Sequence, residues 1–259
     1  MLENLLGTKE QETEEHWVSI SDVMAGLMVI FLFISISYML NVRLKANEII
    51  VYKNEVEELL DAYKNLQAAL YKELQSEFEG NITKKTQFRT TWRGYLDMET
   101  LSIRFKKPFI QGDATVPNAF KSVLRDFFPR YVAILTKPEY KDGIAEIRIE
   151  GHTSGEWNRE VTFDEAYFKN MELSQNRARN VLRYVLGIKH PKITWNKEWI
   201  KKNLTANGLS SSQLILSSSG QENRAESRRV EFRVVTKSEK LIKEIEELMK
   251  RFNKSEVVN

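Results

Sequence analysis

Hydrophobic and polar positions divide the chain into three regimes. From Val23 to Leu40 every residue is apolar or small apart from Ser35, Ser37 and Tyr38, and none is charged. A run of that length is about the minimum for a membrane-spanning helix, and Trp17, Val18 and Ile20 extend it upstream. Glu10, Glu12, Glu14 and Glu15 stand where a signal peptide would be basic, and Tyr38-Met39-Leu40-Asn41 makes a poor cleavage site. The pattern therefore reads as an uncleaved anchor; the competing reading is a buried helix of a soluble core.

In the second regime Ile49, Tyr52, Val56, Leu59, Tyr63, Leu66 and Leu70 recur in alternating steps of three and four, flanked by Glu55, Glu57, Glu58, Asp61 and Lys64. This spacing predicts a coiled-coil seam of about three heptads, although a long helix packed on its own domain would carry the same stripe. Gly80-Asn81 marks a stop, and a polar stretch around Lys84, Lys85, Thr90 and Thr91 follows.

The third regime alternates apolar and polar residues over Leu101–Lys106, Ile147–Glu150 and Val230–Val234, predicting half-buried strands, with Leu214–Leu216 as a fourth. Helical patterns lie between them: Pro117 to Leu135 opens with a proline, and Ala178, Val181, Leu182 and Val185 form an apolar face after Ser174. Strands interleaved with helices indicate an α+β or α/β sandwich of roughly 150 residues. Leu241, Ile242, Ile245, Leu248 and Met249 mark an amphipathic terminal helix. The predicted organisation is a tail over 1–16, a transmembrane helix over 17–42, a connector over 43–80, the α+β domain over 81–236, and a C-terminal helix and tail over 237–259.

Composition narrows the chemistry. The 259 residues carry a net charge of only +3, so no one-sign field points to nucleic acid. Absence of cysteine removes disulfides, thiol catalysis and thiolate zinc sites. Without a nucleophile elbow or a phosphate loop, and with three scattered histidines, neither an enzyme nor a metal or other cofactor is expected. The segment from His190 to Gly208 holds Trp195, Trp199 and several lysines; aromatics packed under a solvated lysine face are the default there.

Asp22 is the residue the membrane reading must explain. Trp17 and Ile20 put it about a turn inside the interface, where an ionised carboxylate costs roughly 2.5–3.5 kcal/mol. Cation carriage is one reason to keep it; capping of the helix, with Ser19 or Ser21 as the cap residue, is another. Ser19, Ala25 and Gly26 lie three or four positions away and give one small, polar face for close packing on another subunit.

The run Trp17-Val18-Ser19-Ile20-Ser21-Asp22-Val23-Met24-Ala25-Gly26-Leu27-Met28 resembles the membrane entrance of the MotB family of stator subunits. The resemblance implies that Asp22 is the ion-translocating aspartate and that two such helices, a homodimer, stand inside a ring of MotA-like subunits. It also implies an inner-membrane, single-pass topology with the N-terminus cytoplasmic and the C-terminal domain periplasmic. Charge alone argues the reverse, because Arg43, Lys45 and Lys53 follow the span and acids precede it.

Four motifs in the third regime resemble the OmpA-like family: Phe109-Ile110-Gln111-Gly112-Asp113-Ala114, Ile149-Glu150-Gly151-His152-Thr153, Leu173-Ser174-Gln175-Asn176-Arg177-Ala178 and Arg228-Arg229-Val230-Glu231. That family clasps the diaminopimelate side chain of peptidoglycan, whose end carries an ammonium and a carboxylate. The resemblance implies an OmpA-like sandwich in which Arg177 binds the carboxylate, with Asn170, Leu173, Ser174 and Arg228 beside it. For Arg177 the alternative is an ordinary surface ion pair. Where the family commonly has Asp after His-Thr, this chain has Ser154; either Asp164 or Glu156 in the following segment is the substitute acid for the ammonium, or the site binds wall weakly or differently. For His152 a hydrogen bond that stabilises the turn is favoured over ligand contact.

Within the stator class, Leu27–Ile34 and the enlarged wall domain look more like the B subunits of Zorya anti-phage defence than like flagellar MotB. This implies a proton-driven motor formed with a MotA-like ZorA, anchored in peptidoglycan and signalling to cytoplasmic effectors. A flagellar-type stator and a passive membrane-to-wall tether are the alternatives.

Overall fold

The computed structural model describes residues 3–157, 161–237, 239 and 242, with side chains from residue 21 onward apart from 59, 62 and 63. It divides into two units, residues 1–58 and 59–259. The first is the N-terminal part of helix α1 (Glu3–Glu79), whose stretch from Ser21 to Glu58 holds a window long and apolar enough to cross a membrane. Every side chain from Ser21 to Glu55 is exposed, which leaves the apolar surface of this stretch open to lipid or another subunit.

The second unit is built on a five-stranded sheet of β1 (Gly94–Asp97), β2 (Ser102–Lys106), β3 (Ile144–Gly151), β4 (Leu204–Gly208) and β5 (Arg229–Thr236), in the order β1-β2-β5-β3-β4. All pairings are antiparallel except β3 with β4. Alternation along the strands sorts the two faces: Ile103, Phe232 and Ile149 form one row across the sheet, and their neighbours Arg104, Glu231 and Glu150 form the next on the opposite face.

The apolar face is covered by α3 (Asn118–Leu135) and α5 (Phe163–Leu186). Phe127 of α3 lies 5.0 Å from both Phe105 and Phe232, ring centre to ring centre. Pro117 precedes α3 as its N-cap residue, as the sequence pattern predicts. The shorter helices are α2 (Ile82–Thr86), α4 (Pro138–Lys141), α6 (Pro191–Trp195), α7 (Lys197–Asn203) and α8 (Arg224–Ser227). Trp199 packs at the edge of the core, whereas Trp195 is exposed and has no packing role.

Three expectations differ from the structure. The last turns of α1 belong to the domain: Leu70, Leu74 and Phe78 are fully buried, and Glu77 pairs with Arg130 of α3 at 2.6 Å. The seam is thus split, with Leu66 and Leu70 turned to their own domain while Ile49 and Tyr52 stay exposed. The domain therefore begins within the expected connector. Leu214–Leu216 is not a strand, since a single bridge from Leu216 to Glu222 closes a serine turn there, and the parallel partner of β3 is β4. Helix α5 begins eleven positions before Ser174, because Thr162 and Glu165 form a reciprocal capping box. The expected terminal helix over 237–259 falls largely outside the described residues.

Candidate functional site

One end of the sheet is shaped by two glycines. Gly151 and Gly208 face each other in the β3–β4 register. A Cβ on Gly151 would lie 2.3 Å from the Ser174 carbonyl oxygen, and one on Gly208 would lie 2.4 Å from the Gln175 amide nitrogen. Only glycine lets the α5 backbone come this close. Ser174 then locks the contact: its hydroxyl accepts the Ser210 N–H at 3.0 Å and donates to the Met171 carbonyl. The chain leaving β3 is held by Thr153 N–H to the Ser210 carbonyl at 2.9 Å.

This junction brings α5, the segment after β3, the loop over 107–113 and the start of β5 around two adjoining cavities of about 180 and 110 Å³. Gln111, Arg177 and Arg228 line both. Lys107, Pro108, Phe109, His152 and Arg229 complete the larger. Gly112, Thr153, Ser154, Glu156, Trp157, Asn170 and Leu173 complete the smaller. Asn170, Leu173, Ser174 and Arg177 share one helical face by their spacing of three and four. Ser174, fully buried, lines neither cavity and acts as the lock described above.

Arg177 is buried and partly committed, with two of its five N–H donors used inside the domain. Its Nε donates to the Asp113 carbonyl and its Nη2 to the Ile110 carbonyl, each at 2.8 Å, and its guanidinium lies 5.0 Å from the Phe109 ring centre. Burial, reinforced by the like charge of Arg228, pulls its pKa down to about 10, which leaves it cationic at neutral pH. Arg228 is the complement: half-buried at the mouth, its guanidinium has no partner among the described residues. Arg177 thus builds the loop, and Arg228 offers the open fork.

The substitute acids fare differently. Asp164 is exposed in the first turn of α5 and lines neither cavity, because the early start of that helix carries it away from the site. Glu156 lines the smaller cavity but is paired with Arg224 at 2.6 Å. Ser154, 7% exposed, stands in the wall itself. Thr153 and Arg229 went unread in the sequence as site residues, as did Lys107 and Trp157. The motifs next to them contained the only signal, since Thr153 and Arg229 lie within quoted motifs, Lys107 two residues before one and Trp157 four residues beyond one.

Beneath the larger cavity lies a buried charged row. Glu231 accepts from Arg229 and from the Ser102 hydroxyl at 2.8 Å, and pairs with Arg104 at 3.1 Å. Burial works to raise the Glu231 pKa, but Arg229, Arg104 and His152 outweigh it and hold the carboxyl below its usual range. His152 Nε2 is 3.6 Å from Glu150 and 3.8 Å from Glu231, and neither ring nitrogen has a hydrogen-bond partner among the described residues, so the expected turn-stabilising bond is not made by the imidazole. Ligand atoms of these three residues lie within 4.8 Å of one another. Arg229 and Arg104 partner Glu231 from within the protein, and Arg104 is shared with Asp97 at 2.7 Å. Asp22 lies in the first unit, exposed on α1.

Fold and site define a class: a helix apolar and long enough to span a membrane, joined to an α+β domain with an arginine-lined pocket at the end of its sheet. No protein-family model matches the chain. It is 42% identical over 240 residues to the Zorya protein ZorB of Escherichia coli strain Crooks, spanning 92% of this chain and 94% of that protein. The chain belongs to the ZorB family. Among solved structures, a MotB-like protein of Desulfovibrio vulgaris is 24% identical, covering 70% of this chain and 99% of that one at a TM-score of 0.44. The cell wall anchor of the T6SS from Pseudomonas aeruginosa is 19% identical, covering 59% and 96% at 0.36. A periplasmic domain of Helicobacter pylori MotB is 21% identical, covering 59% and 86% at 0.35.

Proposed function

We propose that the chain is the B subunit of a proton-driven, MotAB-like inner-membrane motor of Zorya anti-phage defence, anchored to peptidoglycan. The observation that carries it is Asp22, the one acidic or basic residue between Ser21 and Val42, on a helix face with small neighbours at Ala25 and Gly26. A carboxylate that alternately binds and releases a proton there converts the transmembrane gradient into motion of surrounding subunits. Those subunits are MotA-like ZorA, ringed about a pair of these helices, and Ile49, Tyr52 and Val56 continue the pairing outside the membrane. The pocket holds the diaminopimelate side chain, with Arg228 as the carboxylate fork and Arg177 as the group that builds the loop around it. No enzymatic step is assigned to this subunit.

The test is protection from phage in cells carrying the intact operon, at matched membrane levels of wild type and Asp22→Asn. The motor reading requires protection to be lost. Protection retained in Asp22→Asn but abolished by Arg228→Ala would leave a passive wall tether.

A further inference from the structure

Resting on the reading that this pocket holds a wall stem peptide, we propose that it selects the diamino acid whose side-chain amine has been acylated in a cross-link, over one with a free ammonium. Four cationic side chains, Lys107, Arg177, Arg228 and Arg229, line the two cavities. Among the described residues the one carboxylate that lines them is Glu156, which Arg224 already holds. An ammonium entering here meets repulsion from the guanidiniums, and among the described residues only the Glu156 carboxylate, shared with Arg224, is there to offset it, so much of its desolvation goes uncompensated. The carboxylate of the same ligand end meets the open fork of Arg228.

An amide fits where the ammonium does not. Thr153 lines the smaller cavity at 3% exposure, and its hydroxyl has no hydrogen-bond partner among the described residues. That hydroxyl both donates and accepts, so it can serve an amide C=O or N–H. Ser154, where an acid would recognise an ammonium, carries no charge. Acylation of the amine is the bond that joins one stem peptide to another, so the selectivity directs the anchor to mature, cross-linked wall.

The experiment is calorimetric titration of the full-length protein in detergent with two synthetic tripeptide stems ending in diaminopimelate, one with a free and one with an N-acetylated side-chain amine. The acetylated stem should bind at least about tenfold tighter, equivalent to about 1.4 kcal/mol. Ser154→Asp, which restores an anion at the wall, should reverse the preference. Equal binding, or tighter binding of the free amine by the wild type, overturns the proposal. Binding of neither stem also overturns it, and co-sedimentation with purified sacculi then separates the causes. Protein retained on sacculi means that wall binding lies elsewhere, whereas protein left in solution means that the wall-anchor reading itself has failed.

Discussion

The two pocket arginines are a motif pair in the sequence but different devices in the structure. Arg177 satisfies two loop carbonyls, so Arg177→Ala leaves both without that partner and should cost roughly 1–3 kcal/mol. Arg228 has no partner among the described residues to abandon, so Arg228→Ala should leave the unfolding midpoint within about 0.5 kcal/mol while removing sacculus binding. Denaturant titration and co-sedimentation of both variants check the split: a stable Arg228→Ala that still sediments with sacculi would remove it from the site. The motif Leu173-Ser174-Gln175-Asn176-Arg177 made the arginine legible as a site residue through its resemblance to the OmpA-like pattern. What it could not reveal is that two of the guanidinium's five N–H donors go to Ile110 and Asp113, sixty or more positions away, since that depends on where the loop after β2 folds back. The same gap explains Asp164, whose place followed from a capping box that moves the start of α5 rather than from its distance along the chain.

At the scale of elements, the three-four stripe after the membrane was readable but its division was not. A stripe reports that a face is covered and says nothing of what covers it. Leu70, Leu74 and Phe78 go to the domain core because α3 offers Phe127 and the partner Arg130 for Glu77, and Lys137, capping α4, pairs with Glu73. Leu74→Ala should therefore destabilise the domain by about 2–5 kcal/mol, whereas Ile49→Ala should leave its unfolding midpoint unchanged; chemical denaturation of the two variants distinguishes them. Strands β2, β3 and β5 were legible from alternation, while β1 is only four residues long and β4, Leu204-Thr205-Ala206-Asn207-Gly208, alternates with small residues that carry little apolar signal. The charged face of the sheet makes a second prediction. Glu231 has a folded pKa below its unfolded value of about 4.3, so the unfolded chain binds more protons as the pH drops through that range. The stabilisation is full above that pH and is lost as pH falls toward the folded value. Arg104 from β2, Glu150 and His152 from β3 and its exit, and Arg229 on β5 all face this carboxyl. Glu231→Gln should flatten the acid limb of stability measured from pH 7 to 3, and should lower stability at pH 7 by freeing Arg229.

For the molecule as a whole, the decisive quantity is which side of the membrane holds the domain. Charge argues for the cytoplasm: Arg43, Lys45 and Lys53 follow the span and Glu10, Glu12, Glu14 and Glu15 precede it. The rule behind that argument is a bias in insertion and is weakened by long translocated domains, and some two hundred residues follow the span here. The ligand proposed for the pocket argues for the periplasm, because peptidoglycan exists only there. The chain has no cysteine, so a single one at Ser219, exposed in the turn before Glu222, reports topology without background. In cells with a permeabilised outer membrane and an intact inner one, a charged maleimide that does not cross the inner membrane should label Ser219→Cys fully before lysis. Labelling that appears only after lysis would place the domain in the cytoplasm. The arginine pocket would then need a ligand other than the wall, and Asp22 would stand at the opposite mouth of the ion path.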